Sequence, residues 1–529
     1  MVREPNRYDA VIVGGGHNGL VAAGYLARAG RRVLVLERRP IVGGACVTEE
    51  IHPGYRVTTT SYVCTLLRPE IIRDLELARH GFEMAPCPTS FVPFADGRHL
   101  LLGLSAREDA EQIGRYSRKD VEAYPRFYAT MARLAEVLRP SLETPPPDPG
   151  ALGFQGFLEL LKLGRRFRAL SRGEQALLLK VLTMSSVELL DEWFESPQLK
   201  ASFAASGTIG VWGSPRTPGT AFLMLHYFMG GVTDTPGLWG FVRGGMGGLA
   251  EALASAARAH GAEIRVAAPV ERILVRDGAA AGVVLEGGEE IPARAVLSNA
   301  DPKRTFLGLV DRGQLPAEFV RGIENLRCRG NSGKVNLALS ELPDFSALPG
   351  DGVHLRSAIQ VCGDHPDYLE AAFDDCKAGR PSTRPYLDIV IPSTVDDSLC
   401  PRGHHVMSIS IKFIPYTLAA GDWRARREEL GDLAVATLAE YAPNLRRAVV
   451  QRHVLTPLDF EEVYGLTGGN ICHGEMALDQ LFAARPLLGW ARYRTPIDGL
   501  YLCGSGAHPG GGVMGAAGRN AARVALADR

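Results

Sequence analysis

The amino-acid sequence predicts an α/β fold in which a domain with a parallel sheet is interleaved with a second domain of mixed sheet and helices. A strand, a glycine-rich turn, a helix and another strand follow one another over residues 8–37. A further helix with strands lies between residues 249 and 298, and residues 499–504 form a strand that runs into a glycine turn. Parallel strands need long crossover connections, so these three distant segments are expected to share one sheet.

The chain length favours two domains, because 529 residues exceed what one ordinary hydrophobic core supports. We assign residues 1–75, 240–300 and 456–529 to the first domain. Residues 76–239 and 301–455 form the second domain.

Within the second domain, helical periodicity predicts helices over residues 152–182 and 191–205. Strands are expected at residues 334–339, 386–392 and 405–413. The Pro-rich stretch from Pro145 to Pro149 can be neither helix nor strand and is interpreted as a surface loop.

Composition and charge exclude several classes of protein. The formal net charge is −1, so nothing favours a nucleic-acid partner, and the nine cysteines lack zinc spacing, which predicts a reduced protein without a metal. We expect a cytoplasmic protein, because few residues precede the first strand and no apolar run approaches the ~18 residues of a membrane span. Peripheral contact with a membrane stays open. The basic cluster Arg165, Arg166 and Arg168 is interpreted as a solvated helix face.

The segment from Gly14 to Gly19 fits the G-x-G-x-x-G dinucleotide fingerprint, directly after a strand and at the start of a helix. Gly14 is predicted to make the tight turn, Gly16 to let the backbone approach a pyrophosphate, and Gly19 to let the helix pack on the strand. Glu37 ends the next strand and is predicted to bind a ribose diol. His17 is interpreted as a turn residue and not as a catalyst.

The residues alone leave NAD and FAD open as the dinucleotide. Gly43 and Gly44 follow Glu37 closely enough for the backbone to approach a second part of the cofactor. Cys46 comes next. In the flavin disulfide reductases a redox cysteine at this place has its partner five positions later, where this sequence has Ile51. Cys46 is therefore interpreted as a packing residue.

A second possible dinucleotide fingerprint, of the looser form G-x-G-x-x-A, runs from Gly245 to Ala250. No clear buried strand precedes it, and no acid ends the strand that follows. We therefore interpret it as a packing loop and not as an NAD site.

Several of these segments together resemble the phytoene desaturase-like flavoproteins along the whole chain. They are Gly14 to Gly19, Glu37, Gly43 with Gly44, Arg243 to Gly247, Ser298 to Pro302, and Cys503 to Gly512. The resemblance implies that the cofactor is FAD. It also implies a Rossmann-type FAD-binding domain of the amine oxidase-like kind, interleaved with a substrate domain of mixed sheet and helices.

The resemblance further implies which residues contact the cofactor. Val270 would hold the adenine through its backbone, Arg38 and Ala45 would flank the dinucleotide, and the segment from Gly504 to Val513 would line the flavin end. Wider relatives place an acid after Gly504, where this sequence has the neutral Ser505. Gly510, Gly511 and Gly512, with a helix expected to start near Val513, are predicted to bring backbone N–H groups against the flavin edge.

Three functions follow as hypotheses. The first is an FAD-dependent oxidoreductase that removes hydride from an apolar, polyene or lipid-like substrate and passes electrons to oxygen or a quinone. The alternatives are a flavin-dependent cis-trans isomerase and a flavin-bearing scaffold without turnover. His508 and His473 are the candidate acids or bases, and for each a structural role is equally open.

Overall fold

The computed structural model describes residues 7–87, 89–147, 154–230 and 239–528. The strands, in chain order, are β1 Ala10–Val13, β2 Val33–Leu36, β3 Thr48–His52, β4 Tyr55–Thr58, β5 Met84–Cys87, β6 Ser90–Pro93, β7 His99–Leu102, β8 Trp239–Val242, β9 Glu263–Arg265, β10 Val270–Arg276, β11 Ala279–Leu285, β12 Glu290–Pro292, β13 Val296–Ser298, β14 Ser332–Leu339, β15 Ala358–Val361, β16 Tyr386–Val390, β17 His405–Lys412, β18 Val449–Leu455 and β19 Leu500–Leu502.

The α-helices, in the same order, are α1 His17–Arg28, α2 Pro69–Asp74, α3 Ala106–Gly114, α4 Arg118–Leu138, α5 Phe154–Arg168, α6 Arg172–Thr183, α7 Ser186–Asp191, α8 Pro197–Ala204, α9 Thr220–Phe228, α10 Met246–Ala259, α11 Ala317–Asn325, α12 Asp367–Lys377, α13 Trp423–Ala439, α14 Leu445–Ala448, α15 Pro457–Tyr464 and α16 Ala516–Ala527.

A parallel sheet with the strand order β19–β13–β1–β2–β9 forms the core of the first domain. Val11 is paired with Leu34 of β2 and with Val296 of β13, and Val296 is paired in turn with Leu500 of β19. The strands are apolar because helices α1, α10 and α16 cover the sheet. The predicted α/β fold, with one sheet assembled from three distant segments, is confirmed.

A larger mixed sheet with the order β18–β14–β17–β16–β15–β6–β7 forms the second domain. Its neighbours are antiparallel except for β15 and β6, which run parallel. Helices α4 to α9 form a separate layer whose core includes Phe127, Leu134, Leu190 and Phe222. The exact domain bounds stay a prediction.

Three local predictions need correction. The helix predicted over residues 191–205 begins only at Pro197, where α8 starts. The helix predicted over residues 152–182 is two helices, because Ser171 caps α6 through a reciprocal bond with Glu174 and ends the previous periodicity. Pro146 is buried, so the stretch from Pro145 to Pro147 is irregular but not wholly a surface loop. Residues 148 and 149 of that predicted loop lie outside the described residues.

Candidate active site

A cleft lies at the carboxyl ends of β1, β2 and β13, where ligands bind in open parallel sheets. It is lined by Val13, Gly14, Gly16, His17, Asn18, Leu36, Glu37, Arg38, Arg39, Gly44, Ala45, Pro269, Val270, Glu286, Asn299, Ala300, Arg304, Leu309, Tyr464, Gly465, Leu466, Ile471, His473 and Ser505. The cleft therefore gathers predicted site residues from both ends of the chain. Of the other predicted contacts, Gly19, Gly43 and Gly504 lie behind the lining and shape it.

The glycine turn before α1 has no room for larger residues. A Cβ at Gly16 would stand 2.7 Å from Nδ2 of Asn299, and one at Gly19 would stand 2.3 Å from the carbonyl oxygen of Gly14. Gly14 has a left-handed φ of +97°. Gly16 is the N-cap of α1 and makes no side-chain capping bond, so the first turn of the helix is open to an anion.

The Gly43–Gly44 pair packs directly on this turn. The N–H of Gly43 donates to the carbonyl of Gly15 at 2.8 Å, and a Cβ on Gly44 would lie 3.1 Å from the Cα of Gly16. Gly504 approaches from the other end of the chain, where a Cβ would lie 2.6 Å from the carbonyl oxygen of Asn299. Three distant segments thus meet backbone to backbone around the cleft.

The carboxylate of Glu37 is held at the cleft by backbone groups. Its Oε2 accepts from the N–H of Gly15 at 2.8 Å, and its Oε1 accepts from the N–H of Arg39 at 2.9 Å. Each oxygen keeps a further lone pair, which a ribose hydroxyl could use. The side chain of Arg38, which also lines the cleft, donates to the carbonyls of Glu462 and Val463.

Four buried nitrogen atoms of residues that line the cleft have no hydrogen-bond partner within the described residues. They are Nε2 of His17, Nη1 of Arg39, Nε of Arg304 and Nδ1 of His473. Buried polar atoms are normally satisfied, so their positions fit a polar ligand with several acceptors. The glycine cradle, the open start of α1 and these orphaned atoms together fit a dinucleotide.

The glycine segment before α16 differs from the prediction. α16 begins at Ala516 and not near Val513, because Val513 and Gly515 have left-handed φ values of +56° and +72° that interrupt a helix. The N–H of Gly510 donates to the carbonyl of Ala507, and the N–H of Gly511 points at Sδ of Met476. A Cβ on Gly512 would lie 2.4 Å from Leu66. Gly512 and Val513 therefore belong to a packed segment and are not part of the cleft lining.

The two candidate histidines have different surroundings. His508 does not line the cleft, and its Nε2 lies 2.7 Å from the carbonyl of Ser141. Burial lowers the pKa of His508 to about 4, so its ring is neutral near pH 7 and its Nε2 can donate to this carbonyl. His473 does line the cleft, and burial lowers its pKa as well.

Arg485 joins the loop of His473 to that of Ser505. Its buried guanidinium donates only to backbone carbonyls within the described residues: those of Cys472, Gly474, Glu475, Gln480 and Ser505. The two loops are therefore held as one unit, and Ser505 joins this unit to the start of α1 by accepting from Nδ2 of Asn18.

Cys46 lies 3.7 Å from Nδ1 of His17, behind the cleft. Burial raises the pKa of Cys46 to about 12, so its thiol stays protonated at neutral pH. The structure also brings Cys64 near it, and burial together with Cys46 raises the pKa of Cys64 to about 12. Neither thiol is activated as a nucleophile.

We expect Cys46→Ser to leave the rate of flavin reduction within about twofold of the parent rate, since a protonated buried thiol contributes packing and not chemistry. The measurement is anaerobic bleaching of the flavin by substrate in stopped flow. The double variant Cys46→Ser/Cys64→Ser tests the neighbour at the same time. A loss of more than tenfold in both variants, with normal flavin content, would establish a thiol mechanism.

In the second fingerprint, the backbone N–H groups that could bind a phosphate already donate to side chains of the protein. β8 does precede it as a strand, contrary to expectation, but β8 pairs with β5 and not with the parallel sheet. The N–H of Met246 donates to the hydroxyl of Thr58 and that of Gly247 to the hydroxyl of Thr48. The N–H of Gly244 donates to the carboxylate of Asp396. No free anion cradle is left at the start of α10 within the described residues.

We therefore expect NADH and NADPH to reduce the bound flavin only slowly and without saturation, because the backbone donors that would hold their pyrophosphate already have partners. The measurement is the anaerobic bleaching rate against nicotinamide concentration. Thr48→Ala/Thr58→Ala frees two donors and serves as the comparison. Fast, saturable bleaching of the parent protein would contradict this interpretation.

A second cavity, here called the aromatic cavity, lies between helices α4, α8 and α9 and the large sheet. It is lined by Cys87, Thr89, Ser90, Leu102, Gly103, Asp109, Tyr124, Tyr128, Ser202, Phe203, Ser206, Ile209, Met224, Tyr227, Phe228, Trp239, Ala358 and Gln360. Aromatic and aliphatic side chains dominate this lining, as in sites for apolar small molecules.

The large sheet has two unlike buried faces. One carries Val335, Leu337, Ile409 and Ile411 and packs into an apolar core. The other, here called the polar face, carries the buried residues Lys334, Asn336, Asp388, Ser408, Ser410 and Lys412. Burying such groups is costly without partners, so a polar face of this kind indicates a site.

Tyr62 covers the polar face. Its hydroxyl donates to the carboxylate of Asp388, and Nζ of Lys334 lies 3.8 Å from the centre of its ring. Nζ of Lys412 donates to Ser332, whereas Nζ of Lys334 has no hydrogen-bond partner within the described residues. Burial lowers the pKa of Lys334 well below its usual range, and burial raises the pKa of Asp388 to about 6.

Contacts join the polar face to both cavities. Ser61, next to Tyr62, donates to the carbonyl of Ala45, which lines the cleft. Gln360, which lines the aromatic cavity, is paired with Asp388 across neighbouring strands. The sequence interpretation missed these residues. The signal that could have found them is the alternation of polar with apolar residues in strands buried on both faces.

None of the described helices combines the length and apolar character needed to cross a membrane. Among the described residues, no cluster of His, Cys, Asp and Glu is suited to hold a metal ion.

Comparison with known proteins agrees with this geometry. The family model for flavin-containing amine oxidoreductases matches residues 19–526. The chain is 44% identical to pyridine nucleotide-disulfide oxidoreductase domain-containing protein 2 of Rattus norvegicus, over 98% of this chain and 94% of the relative. It is 28% identical to a limonene dehydrogenase component of Castellaniella defragrans, over 99% of this chain and 95% of that protein.

Among solved structures, cyclohexylamine oxidase from Brevibacterium oxydans matches with a TM-score of 0.58 at 15% identity, covering 98% of both chains. That likeness supports the fold alone. The flavoprotein family inferred from the sequence is confirmed by the family model and by the rat relative. The chain belongs to the flavin-containing amine oxidoreductase family.

Proposed function

We propose that this protein is an FAD-dependent oxidoreductase that removes hydride from an apolar substrate. The observation that carries the proposal is the pair of cavities joined by a buried polar face. One cavity fits a dinucleotide, and the other fits an apolar small molecule. A scaffold without turnover would have no need of the second cavity or of the buried lysines.

The cleft supports FAD as the cofactor. The turn at Gly14 to Gly16 and the start of α1 would hold the pyrophosphate, and Glu37 would hold the adenosine ribose. Val270 lines the same end, where its backbone would meet the adenine. Ser505 and His473 line the cleft from the C-terminal loops. A bound flavin would supply the hydride acceptor.

Desaturation also releases a proton, and the polar face supports a base for it. When a carbon–carbon double bond forms, hydride leaves one carbon and a proton leaves its neighbour. Burial favours the neutral amine of Lys334, which can accept that proton. The carboxylate of Asp388, which contacts the same Tyr62 side chain as Lys334, would stabilise the resulting ammonium. Tyr62 would orient both groups and exclude water from them.

The aromatic cavity supports an apolar substrate. Tyr124, Tyr128, Phe203 and Phe228 offer apolar area with few charged neighbours. A relative of similar length is named for the dehydrogenation of limonene, an apolar hydrocarbon. Electrons would leave through oxygen or a quinone.

The test begins with mass spectrometry of molecules carried by the purified protein and of its extracted flavin. Candidate substrates, with limonene included, are then mixed anaerobically with the holoprotein. We expect FAD, bleaching of the flavin and a product lighter by two hydrogens. A product of unchanged mass that requires reduced flavin would instead establish isomerisation. No bleaching with any carried molecule would overturn the proposal.

Ser206 offers a matched control for the substrate site, because it lines the aromatic cavity and lies outside the cleft. Ser206→Trp would fill the cavity and block substrate oxidation while the flavin stays bound, whereas Ser206→Ala would retain both. Equal activity of the two variants would show that substrate binds elsewhere.

A further inference from the structure

Helix α5, Phe154–Arg168, presents large apolar side chains to solvent. Phe157 is 53% exposed, Leu158 38%, Leu160 37% and Leu161 48%. At 3.6 residues per turn these positions form one continuous stripe along the first half of the helix. Scattered exposed apolar residues need no explanation, but a contiguous stripe marks an interaction surface.

The orientation of α5 is fixed by two side chains that flank the stripe next to Leu160. Leu163 and Phe167 are partly buried and pack against the core of the helical layer. The helix also contacts α4. The stripe therefore cannot turn inward without removing these two anchors, and it faces away from the domain in the folded protein.

A basic end follows the stripe on the same helix. Arg165, Arg166 and Arg168 occupy its last turn and are exposed. None of them forms an ion pair with another described residue, although acidic and basic residues are nearly balanced in the whole chain. Arg165 and Arg168 lie on the side of the stripe, at helical angles within about 80° of Phe157. An apolar stripe continued by free arginines matches the boundary between acyl chains and anionic headgroups.

We propose that α5 docks this protein onto the surface of an anionic lipid bilayer. Phe157, Leu158 and Leu161 insert at the level of the upper acyl chains, and the arginines contact lipid phosphates. The helix has 15 residues, which is about 22 Å and too short to span a bilayer, so it lies in the plane of the interface.

The position of α5 links membrane docking to the aromatic cavity. Tyr124 and Tyr128 of the neighbouring helix α4 line the aromatic cavity, and Tyr128 is partly exposed. Docking by α5 would therefore bring the helix that carries part of the cavity wall to the membrane surface. Lipid docking itself does not depend on the proposed oxidation and is tested by binding alone.

The test is flotation of the full-length holoprotein with vesicles of phosphatidylcholine, alone or mixed with phosphatidylglycerol. We expect the protein to float with the anionic vesicles, more weakly with the neutral ones, and less as salt is added. Phe157→Glu/Leu161→Glu should lower the bound fraction at least about tenfold, since two carboxylates would face the acyl region. Arg165→Glu/Arg168→Glu should remove the preference for anionic vesicles.

Leu488→Glu is the matched control, because Leu488 is 67% exposed but lies far from α5 in the sequence. It should float like the parent protein. Flavin content and circular dichroism show that every variant is folded. Absence of vesicle binding by the parent protein, or equal binding by Phe157→Glu/Leu161→Glu, would overturn the proposal. So would a parent dimer that the double glutamate variant converts to a monomer without any vesicle binding, since the stripe would then be a contact between two copies.

Discussion

Replacing Gly16 with valine is expected to give a folded protein that purifies without flavin. A Cβ at this position would stand 2.7 Å from Nδ2 of Asn299, and the two methyl groups beyond it would fill the approach to the open start of α1. A dinucleotide phosphate needs that approach, so we expect flavin content below about a tenth of the parent value.

The measurement is the ratio of extracted flavin to polypeptide, with circular dichroism as the check on folding. Gly173→Val is the matched control, because a Cβ at Gly173 meets no atom within 4 Å. It should keep its flavin. A folded Gly16→Val protein with full flavin would show that the cofactor does not lie in this cleft.

Lys334→Met is expected to keep the flavin but to slow its reduction by substrate about 10²- to 10⁴-fold, the usual contribution of a general base. Methionine preserves much of the volume and apolar stem of lysine, so the fold should survive. Lys412→Met is the comparison on the same polar face. Its Nζ donates to Ser332, and its loss should cost much less in rate.

The pH profile separates a base from a structural lysine. Burial lowers the pKa of Lys334, so the active neutral amine is present above that pKa and is lost as pH falls through it. The rate at which substrate reduces the flavin of the parent protein should therefore fall as the pH is lowered. The residual rate of Lys334→Met should not show this decrease. Added ethylamine should partly restore a Lys334→Ala variant. If Lys334→Met reduced its flavin at the parent rate and with the parent pH profile, Lys334 would not be the base.

The glycine turn that forms the cleft could be predicted from sequence because it depends on backbone constraints that leave a pattern. Gly16 and Gly19 are needed where no Cβ fits, Gly14 has a left-handed φ, and the strand and helix around them follow from local periodicity. The predicted start of α16 is three residues too early, because the backbone constraint at this place leaves no pattern in the sequence. Val513 adopts a left-handed conformation, which is rare for a β-branched residue and is not expected from the sequence.

The polar face could not be predicted in the same way. Lys334, Asp388 and Lys412 lie on separate strands, and only the sheet register brings them together under Tyr62. His508 was a sequence candidate because it is near the C-terminal glycines, yet its ring is directed to Ser141. Side-chain direction in such loops depends on distant packing, which no local pattern records.

The junction of Gly16, Asn299 and Gly504 also sets the order of events during synthesis. The glycine turn leaves the ribosome on the order of a minute before β19 and α16 do, at a usual rate of roughly 10 residues per second. Until then the edge of β13 is uncovered and only part of the cleft is assembled, so a dinucleotide would find the complete cleft only after β19 and Gly504 have been synthesised. A message cut short before Leu500 would yield a protein with that edge uncovered and the cleft incomplete, which makes it a target for chaperones and proteases.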